Sequence, residues 1–191
     1  MPPLCPKCGR PQSSARLCPG CLSWQAEIDG IRSPFQFDGV IRQAIHELKY
    51  RNLRALAGLL AQLLSNYLVS NPVPGEVLVP VPLHHKRLRE RGYNQSRLLA
   101  QELGKLANLP VVDDCLVRQR HAPPQARTST VDERRSNVAD AFSCRDRRLE
   151  GKQVLLIDDV STSGATLDAC ARGLKEAGAT TVWGLVLARE I

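Results

Sequence analysis

Residues 154–166 read VLLIDDVSTSGAT: an apolar run, two adjacent aspartates, then small hydroxylated residues around a glycine. Carboxylates ending an apolar run add nothing to a core, so they must face something else. The loop from Ser161 to Thr166 leads into a helix start, where unpaired N–H groups and the helix dipole favour an anion. The hydroxyls of Ser161, Thr162, Ser163 and Thr166 add donors, and Gly164 allows close backbone approach. That describes a phosphate cradle. It is not a P-loop, since no Lys follows the glycine, and GxGxxG is missing as well. Carboxylates beside a bound phosphate repel it unless they face another part of the ligand. Vicinal hydroxyls of a ribose suit Asp158 and Asp159, because a hydrogen bond to a charged group contributes about 1.5–3 kcal/mol. The stretch reads as a ribose-5-phosphate site. Helix capping by Ser163 with a solvated Asp pair explains the hydroxyls, but not two adjacent acids ending a buried strand.

CPKC at Cys5 to Cys8 and CPGC at Cys18 to Cys21 form two CxxC pairs with nine residues between them. Thiolates two residues apart grip one ion from a tight turn. Two such turns facing each other make a closed tetrahedral site, the structural arrangement for zinc. A segment of roughly 25 residues cannot bury enough surface to fold unaided. Metal binding, worth about 10–16 kcal/mol in comparable peptides, makes up the difference. A redox CxxC and a pair of disulfides are the competing readings. The first lacks a thioredoxin-like βαβ context. The second sits poorly with seven cysteines, an odd count, in a chain beginning MPPLCPKCGRP without a signal peptide's apolar core. Cys115, Cys144 and Cys170 read as small apolar fillers.

A third cluster is basic. His84, His85, Lys86, Arg87, Arg89 and Arg91 crowd around Glu90 and would spread over most of a helix circumference. Arg87 and Arg91 share a face at i,i+4 and suit pyrophosphate or nucleic acid; a solvated basic helix is the alternative.

The elements that position these groups follow from hydrophobic period. KQVLLID is a continuous apolar strand of the parallel, doubly covered type. GATLDACARGLKEAGA is a helix, apolar at Leu167, Cys170, Ala171 and Leu174 and stopped by Gly178, and TTVWGLVLAR is a second buried strand. Strand, helix and strand of these lengths predict a βαβ unit and an α/β fold with a central parallel sheet flanked by helices. Upstream, IDGIRSPFQFDG holds a short strand, Val40 to Val69 has helical spacing, VLVPVP is a buried strand ending in a proline-rich turn, and NQSRLLAQELGKLANL is helical. PVVDDCLVRQR reads as a strand or two, and HAPPQARTSTVDERRSN as a mobile loop. The 191 residues divide into a metal-binding module at 1–28, a linker at 29–39 and an α/β domain at 40–191.

Hydrophobic strand, Asp-Asp, Val, then TSGAT resembles the phosphoribosyl-pyrophosphate (PRPP) loop of type I phosphoribosyltransferases. VPVPLHHKRLRERGYNQSRLLAQELG at 79–104, RQRHAPPQARTSTVDERRSNVADAF at 118–142, LKY at 48–50 and the cysteine pairs together resemble the ComF/GntX family, over nearly the whole chain. That family is a bacterial group of phosphoribosyltransferase-like proteins tied to natural competence and, in GntX-type members, to use of DNA as a nutrient. The resemblance implies a type I phosphoribosyltransferase-like fold with an N-terminal zinc ribbon held by Cys5, Cys8, Cys18 and Cys21. It implies that Asp158 and Asp159 hold the ribose hydroxyls, and that Ser161, Thr162, Ser163, Gly164, Ala165 and Thr166 hold the 5-phosphate. Val81 and Pro82 belong to the implied pyrophosphate loop; because Pro80 and Pro82 lack amide N–H groups, Val81 and Leu83 must carry much of that contact. Gln125, Arg134 and Asn137 match the family pattern in the second block, and a loop closing there would bring Arg134 to the leaving pyrophosphate, with Arg87 and Arg91 as further cations. Mg²⁺ is implied with PRPP, held mostly by the ligand.

No purine or pyrimidine recognition signature and no glutamine amidotransferase half is present in the sequence. Ammonia, a free nucleotide base or a nucleic-acid end remain open as acceptor. The formal charge of +7 suits a phosphorylated partner as well as a solvated basic surface. No apolar run reaches the ~20 residues that span a bilayer, so a soluble, cytoplasmic protein without membrane insertion is expected. Two functions compete: a PRPP-dependent transferase in DNA or nucleotide metabolism, and a non-catalytic PRPP-sensing or single-stranded-DNA-binding accessory protein working with competence or DNA-processing partners. Aromatic content of 4% weakens a stacking mode of single-strand binding, for which Tyr93 and Trp24 are the candidates.

Overall fold

The computed structural model describes residues 3–119 and 141–190. Its centre is a parallel sheet built from β1 (Gly30–Arg32), β2 (Phe35–Gln36), β3 (Val77–Pro80), β6 (Gln153–Ser161) and β7 (Thr181–Arg189). The order is β1-β7-β6-β3, with β2 pairing β7 beyond β1, and Val111 forms one further parallel bridge to Leu78 at the far edge. A separate antiparallel pair joins β4 (Leu116–Arg118) to β5 (Phe142–Cys144).

The apolar run of β6 is continuous because both faces are covered. Val154 and Leu156 lie in one buried cluster, with α6 (Ala165–Glu176) and the cysteine segment. Leu155 and Ile157 lie in the other, with α2 (Gly39–Tyr50), α3 (Leu56–Ser70) and α5 (Gln95–Ala107). Burying such a side chain contributes about 1.5–3 kcal/mol, so the two-sided cover fixes the strand that carries the acids. The helical stretch 40–69 is two helices rather than one. Asn52 at φ 57 turns the chain between α2 and α3, a left-handed position that Asn tolerates. Asn94 caps α5 by accepting from the Ser96 amide at 3.0 Å.

Within residues 29–39, expected as a linker, residues 30–32 and 35–36 are strands of the sheet. Gly30, Ile31 and Arg32 pair with Trp183, Gly184 and Leu185, and Phe35 and Gln36 with Ala188 and Arg189. Strands of three and two residues leave no periodic trace in sequence; their partner β7, distant in the chain, makes them. The cysteine segment is likewise not set apart, since its four cysteines share a buried cluster with α6 and β6. Among the described residues no helix is long and apolar enough to cross a membrane.

Candidate ligand site and metal centre

Strand β6 runs to Ser161, so Asp158 and Asp159 are strand residues near its C-terminal end rather than loop residues beyond it. The period of two sends them in opposite directions. Asp159 reaches Lys49 of α2, Oδ1 to Nζ at 2.9 Å. Asp158 accepts from the Ser96 hydroxyl at the start of α5 at 2.7 Å and from the Asp159 amide at 2.9 Å. It also lines a small cleft of about 40 Å³ with Val160 and the loop from Ser161 to Leu167. Burial, reinforced by the charge of Asp159, raises the Asp158 pKa, while Ser96 and Lys49 pull it back. An acid held ionised at such a position is expensive unless something binds it.

The buried donor and acceptor inventory near the loop is incomplete. Asp159 is 3% exposed and its Oδ2 has no hydrogen-bond partner among the described residues; Ser161 is 4% exposed and its Oγ has none among them either. Buried polar atoms are rarely left so, and both stand at the end of β6 where the loop begins. Gly164 caps α6 in the left-handed region at φ 81, with no side chain closing the helix end. Thr162 is exposed and Thr166 half-buried, so their hydroxyls are accessible, whereas Ser163 accepts from the Ala165 amide at 3.4 Å and partly closes its own turn. Asp158 and residues 161–166 thus converge on one place, as their spacing requires.

The pyrophosphate-loop expectation needs one correction. The Val81 amide donates to the Ile157 carbonyl at 3.0 Å, and its carbonyl accepts from Asn94 at 2.9 Å. Val81 continues the β3–β6 ladder and has no amide to spare. Pro82 and Leu83 instead line a cavity of about 690 Å³ with Tyr93, Asn94, Arg97 and Arg118. The basic stretch forms α4 (His85–Arg91), capped by His84, whose Nδ1 accepts from the Lys86 amide at 3.3 Å. Arg87 and Arg91 do face one cleft, of about 460 Å³, together with Lys49, Tyr50, Asn52, Glu90 and Tyr93. Lys49 therefore joins that cleft to the acid pair. Arg91 also hydrogen-bonds Gln95 and lies 5.2 Å from the Tyr50 ring centroid. Arg134, with Gln125 and Asn137, lies outside the described residues.

Sequence reasoning assigned no role to Lys49 or Ser96, although both lie in stretches that carry the resemblance, at 48–50 and 79–104. Their roles arise from contacts 110 and 62 positions away in the chain. It also misplaced the stacking aromatics. Trp24 and Tyr93 are buried, the Tyr93 hydroxyl donating to the Leu48 carbonyl, while Tyr50 is 67% exposed.

The sulfurs of Cys5, Cys8, Cys18 and Cys21 lie within 4.8 Å of one another, and all four residues are buried. Cys8 Sγ and Cys18 Sγ are 3.7 Å apart, far beyond a disulfide bond of about 2.05 Å and close to the tetrahedral edge of about 3.8 Å that a Zn–S bond of 2.3 Å demands. Each pair sits in a turn closed by backbone bonds: Gly9 N–H to Cys5 O at 2.9 Å, and Cys21 N–H to Cys18 O at 2.8 Å. Burial raises the Cys5 thiol, but amides of Cys8, Cys18 and Lys7 directed at its sulfur outweigh that and lower it to about 6. The donor set fits a metal ion such as zinc, in a closed structural site. Arg189, buried at the end of β7, donates to the Cys8 carbonyl and sets a cation beside the thiolates.

Residues 88–190 match the phosphoribosyl transferase domain family. The chain is 31% identical to competence protein ComFC of Bacillus subtilis strain 168, spanning 98% of this chain and 78% of that one. It is 29% identical to DNA utilization protein YhgH of Escherichia coli O157:H7, spanning 98% and 85% respectively. A solved glutamine phosphoribosylpyrophosphate amidotransferase from B. subtilis aligns at 21% identity and a TM-score of 0.46, covering 70% of this chain and 26% of that one.

Proposed function

Since the chain belongs to the ComF family, built on a phosphoribosyl transferase domain, we propose that it binds PRPP with Mg²⁺ and transfers the phosphoribosyl group, releasing pyrophosphate. The observation that carries this is the buried acid pair beside the hydroxyl-rich loop, with Asp159 Oδ2 and Ser161 Oγ unpartnered among the described residues. In this reading Asp158 and Asp159 accept hydrogen bonds from the ribose hydroxyls. The amides and hydroxyls from Ser161 to Thr166 hold the 5-phosphate at the start of α6. Pro82 shapes the pyrophosphate end, where the Leu83 amide replaces that of Val81. Breaking the bond at the anomeric carbon builds negative charge on pyrophosphate, and Arg87 and Arg91 supply cations for it across the cleft they share with Lys49. Arg134 is a third candidate by its place in the family pattern. A hard divalent cation suits a site whose groups are carboxylates and hydroxyls. Mg²⁺, held mainly by oxygens of PRPP, neutralises the leaving group when bound.

The relatives named for competence and DNA utilization support an acceptor in nucleotide or DNA metabolism: a free base, a nucleic-acid end, or ammonia. The same reading places the protein in the cytoplasm with competence or DNA-processing partners, a setting in keeping with those names. A second reading, a PRPP-sensing or DNA-binding accessory protein, is favoured by the basic cleft around exposed Tyr50. Binding through phosphates alone falls steeply with salt, and a sensor releases no pyrophosphate with any acceptor.

The test is calorimetric titration of PRPP with Mg²⁺ into metal-loaded wild type and Asp158→Ala/Asp159→Ala. Two charged hydrogen bonds at about 1.5–3 kcal/mol each set an expected loss of roughly 10²- to 10⁴-fold in the double variant. A folded wild type that fails to bind PRPP overturns the reading.

A further inference from the structure

The cysteine segment meets the phosphate loop and its two flanks at several points, through the Trp24 ring, other side chains and backbone groups. A Cβ built on Gly164 would lie 2.8 Å from the Trp24 ring and 2.9 Å from Ile31 Cδ1. The loop glycine is therefore walled by two side chains, and both walls are tied to the cysteine turns. Trp24 follows Cys21 by three residues. The Ile31 amide donates to the carbonyl of Lys7, between Cys5 and Cys8, at 2.7 Å. Gly9, at φ 70 just after the first pair, sits so close on β1 that a Cβ there would be 2.5 Å from the Ile31 carbonyl oxygen. On either side of Gly164 the pattern repeats. Asp168 in the first turn of α6 accepts from the Ile28 amide at 3.0 Å. Ser161 is the register partner of Arg189, whose guanidinium donates to the Cys8 carbonyl.

Between residues 3 and 24 the only regular elements are the four-residue helix α1 (Pro19–Leu22) and one bridge, Leu4 to Pro11. Trp24 is buried in the apolar cluster, and with so little regular structure before it, four metal–thiolate bonds add the constraint that fixes the segment leading into it. We propose that Trp24 is a positioning residue for the phosphate loop: the metal held by Cys5, Cys8, Cys18 and Cys21 fixes Trp24, and Trp24 fixes the backbone of Gly164 in the shape that receives the 5-phosphate. This rests on the PRPP reading of the loop. A left-handed glycine with open space beside it would explore several loop shapes. The Trp24 ring removes that freedom before the ligand arrives, and preorganisation of this kind appears as affinity.

The experiment uses the full chain, metal-loaded, with one zinc per chain checked by elemental analysis. Titration of PRPP with Mg²⁺ is compared in wild type, Trp24→Ala and Trp24→Phe. Trp24→Ala is expected to bind PRPP about tenfold or more weakly while keeping its zinc, and Trp24→Phe, which restores a flat ring, to recover most of the affinity. A second measurement does not depend on the alanine variant folding. The chain has two tryptophans, so Trp183→Phe leaves Trp24 as the sole emitter, and saturating PRPP is expected to change its emission. Wild-type binding with an unchanged Kd in Trp24→Ala, or Trp24 emission indifferent to bound PRPP, overturns this proposal alone. Absence of PRPP binding in folded wild type overturns the loop reading and this proposal with it.

Discussion

Replacing Asp158 by Asn removes a buried charge while keeping the side chain's shape, and it is expected to stabilise the protein above neutral pH while weakening PRPP binding. Burial, with the charge of Asp159 beside it, moves the Asp158 pKa from 3.8 up to about 7. The folded chain therefore keeps a proton that the unfolded chain releases between those values. Stability from this site is fully present below pH 3.8, declines as pH rises toward about 7, and is level beyond. At about 1.4 kcal/mol per pH unit the ionised carboxylate costs up to about 4 kcal/mol at pH 8. Water entry and relaxation reduce that, leaving about 1–3 kcal/mol as the measurable gain for Asn. The oxygen of Asn can still accept from the Ser96 hydroxyl and the Asp159 amide, so no new orphan arises on their side. In a chain of this size each kcal/mol moves Tm by about 2–4 °C, so Asp158→Asn should melt roughly 2–12 °C above wild type at pH 8. By the same linkage the gain falls to about half at pH 5.5. Differential scanning calorimetry of metal-loaded, ligand-free protein reads both values. A variant that melts lower at pH 8, or whose gain is the same at both pH values, refutes the claim that this acid is held against a desolvation cost for the sake of a ligand.

Other perturbations separate the remaining parts. Gly164→Ala combines a left-handed backbone penalty of about 1–2 kcal/mol with overpacking against Trp24 and Ile31 of about 1–3 kcal/mol; urea unfolding is expected to show a loss of about 2–5 kcal/mol, and an unchanged midpoint would mean the ring does not press on the loop. Lys49→Met strands the buried Asp159 carboxylate and should cost about 3–5 kcal/mol. Adding Asp159→Asn should return most of that, whereas additive losses would show that the pair does not act as one unit. Leu156→Ala, fully buried on β6, is expected to cost about 2–5 kcal/mol, while Leu106→Ala, 45% exposed, should move the midpoint by less than about 0.5 kcal/mol.

What could be read from the sequence was local. The apolar run of β6, the hydroxyl-rich loop and the amphipathic α6 follow one another without a gap, so periodicity located the strand and the helix start, while β6 runs three residues past KQVLLID to Ser161. The cysteine pairs were legible for the same reason, since two-residue spacing already specifies a turn that presents two sulfurs. Long-range contacts were not legible. Lys49 sits on a helix that reads as merely amphipathic, and only the packing of α2 over β6 makes it the partner of Asp159. The Val81 amide seemed available for a ligand until the β3–β6 register took it. Tyr93 and Trp24, named as candidates for stacking on single-stranded DNA, are both buried. The strands at 30–32 and 35–36 are too short to show a period, and they exist because β7 offers an edge.

That pairing has a consequence for how the chain reaches its fold. Residues 30–32 lie beside 183–185, so the first sheet strand to be made rests on the last. A ribosome delivers them about 150 residues apart, which at 5–20 residues per second is roughly 10–30 s. For all that time β1 has no partner. All four metal-binding cysteines lie within residues 5–21, so metal capture can come first and gather the N-terminal segment before the sheet that later buries it. Closing the β1–β7 ladder joins Gly30 to Trp183, a contact of high sequence separation and hence among the slower ones to form. Refolding rates in the presence and absence of zinc would then differ in the step that docks β1, after the β3–β6–β7 sheet has assembled.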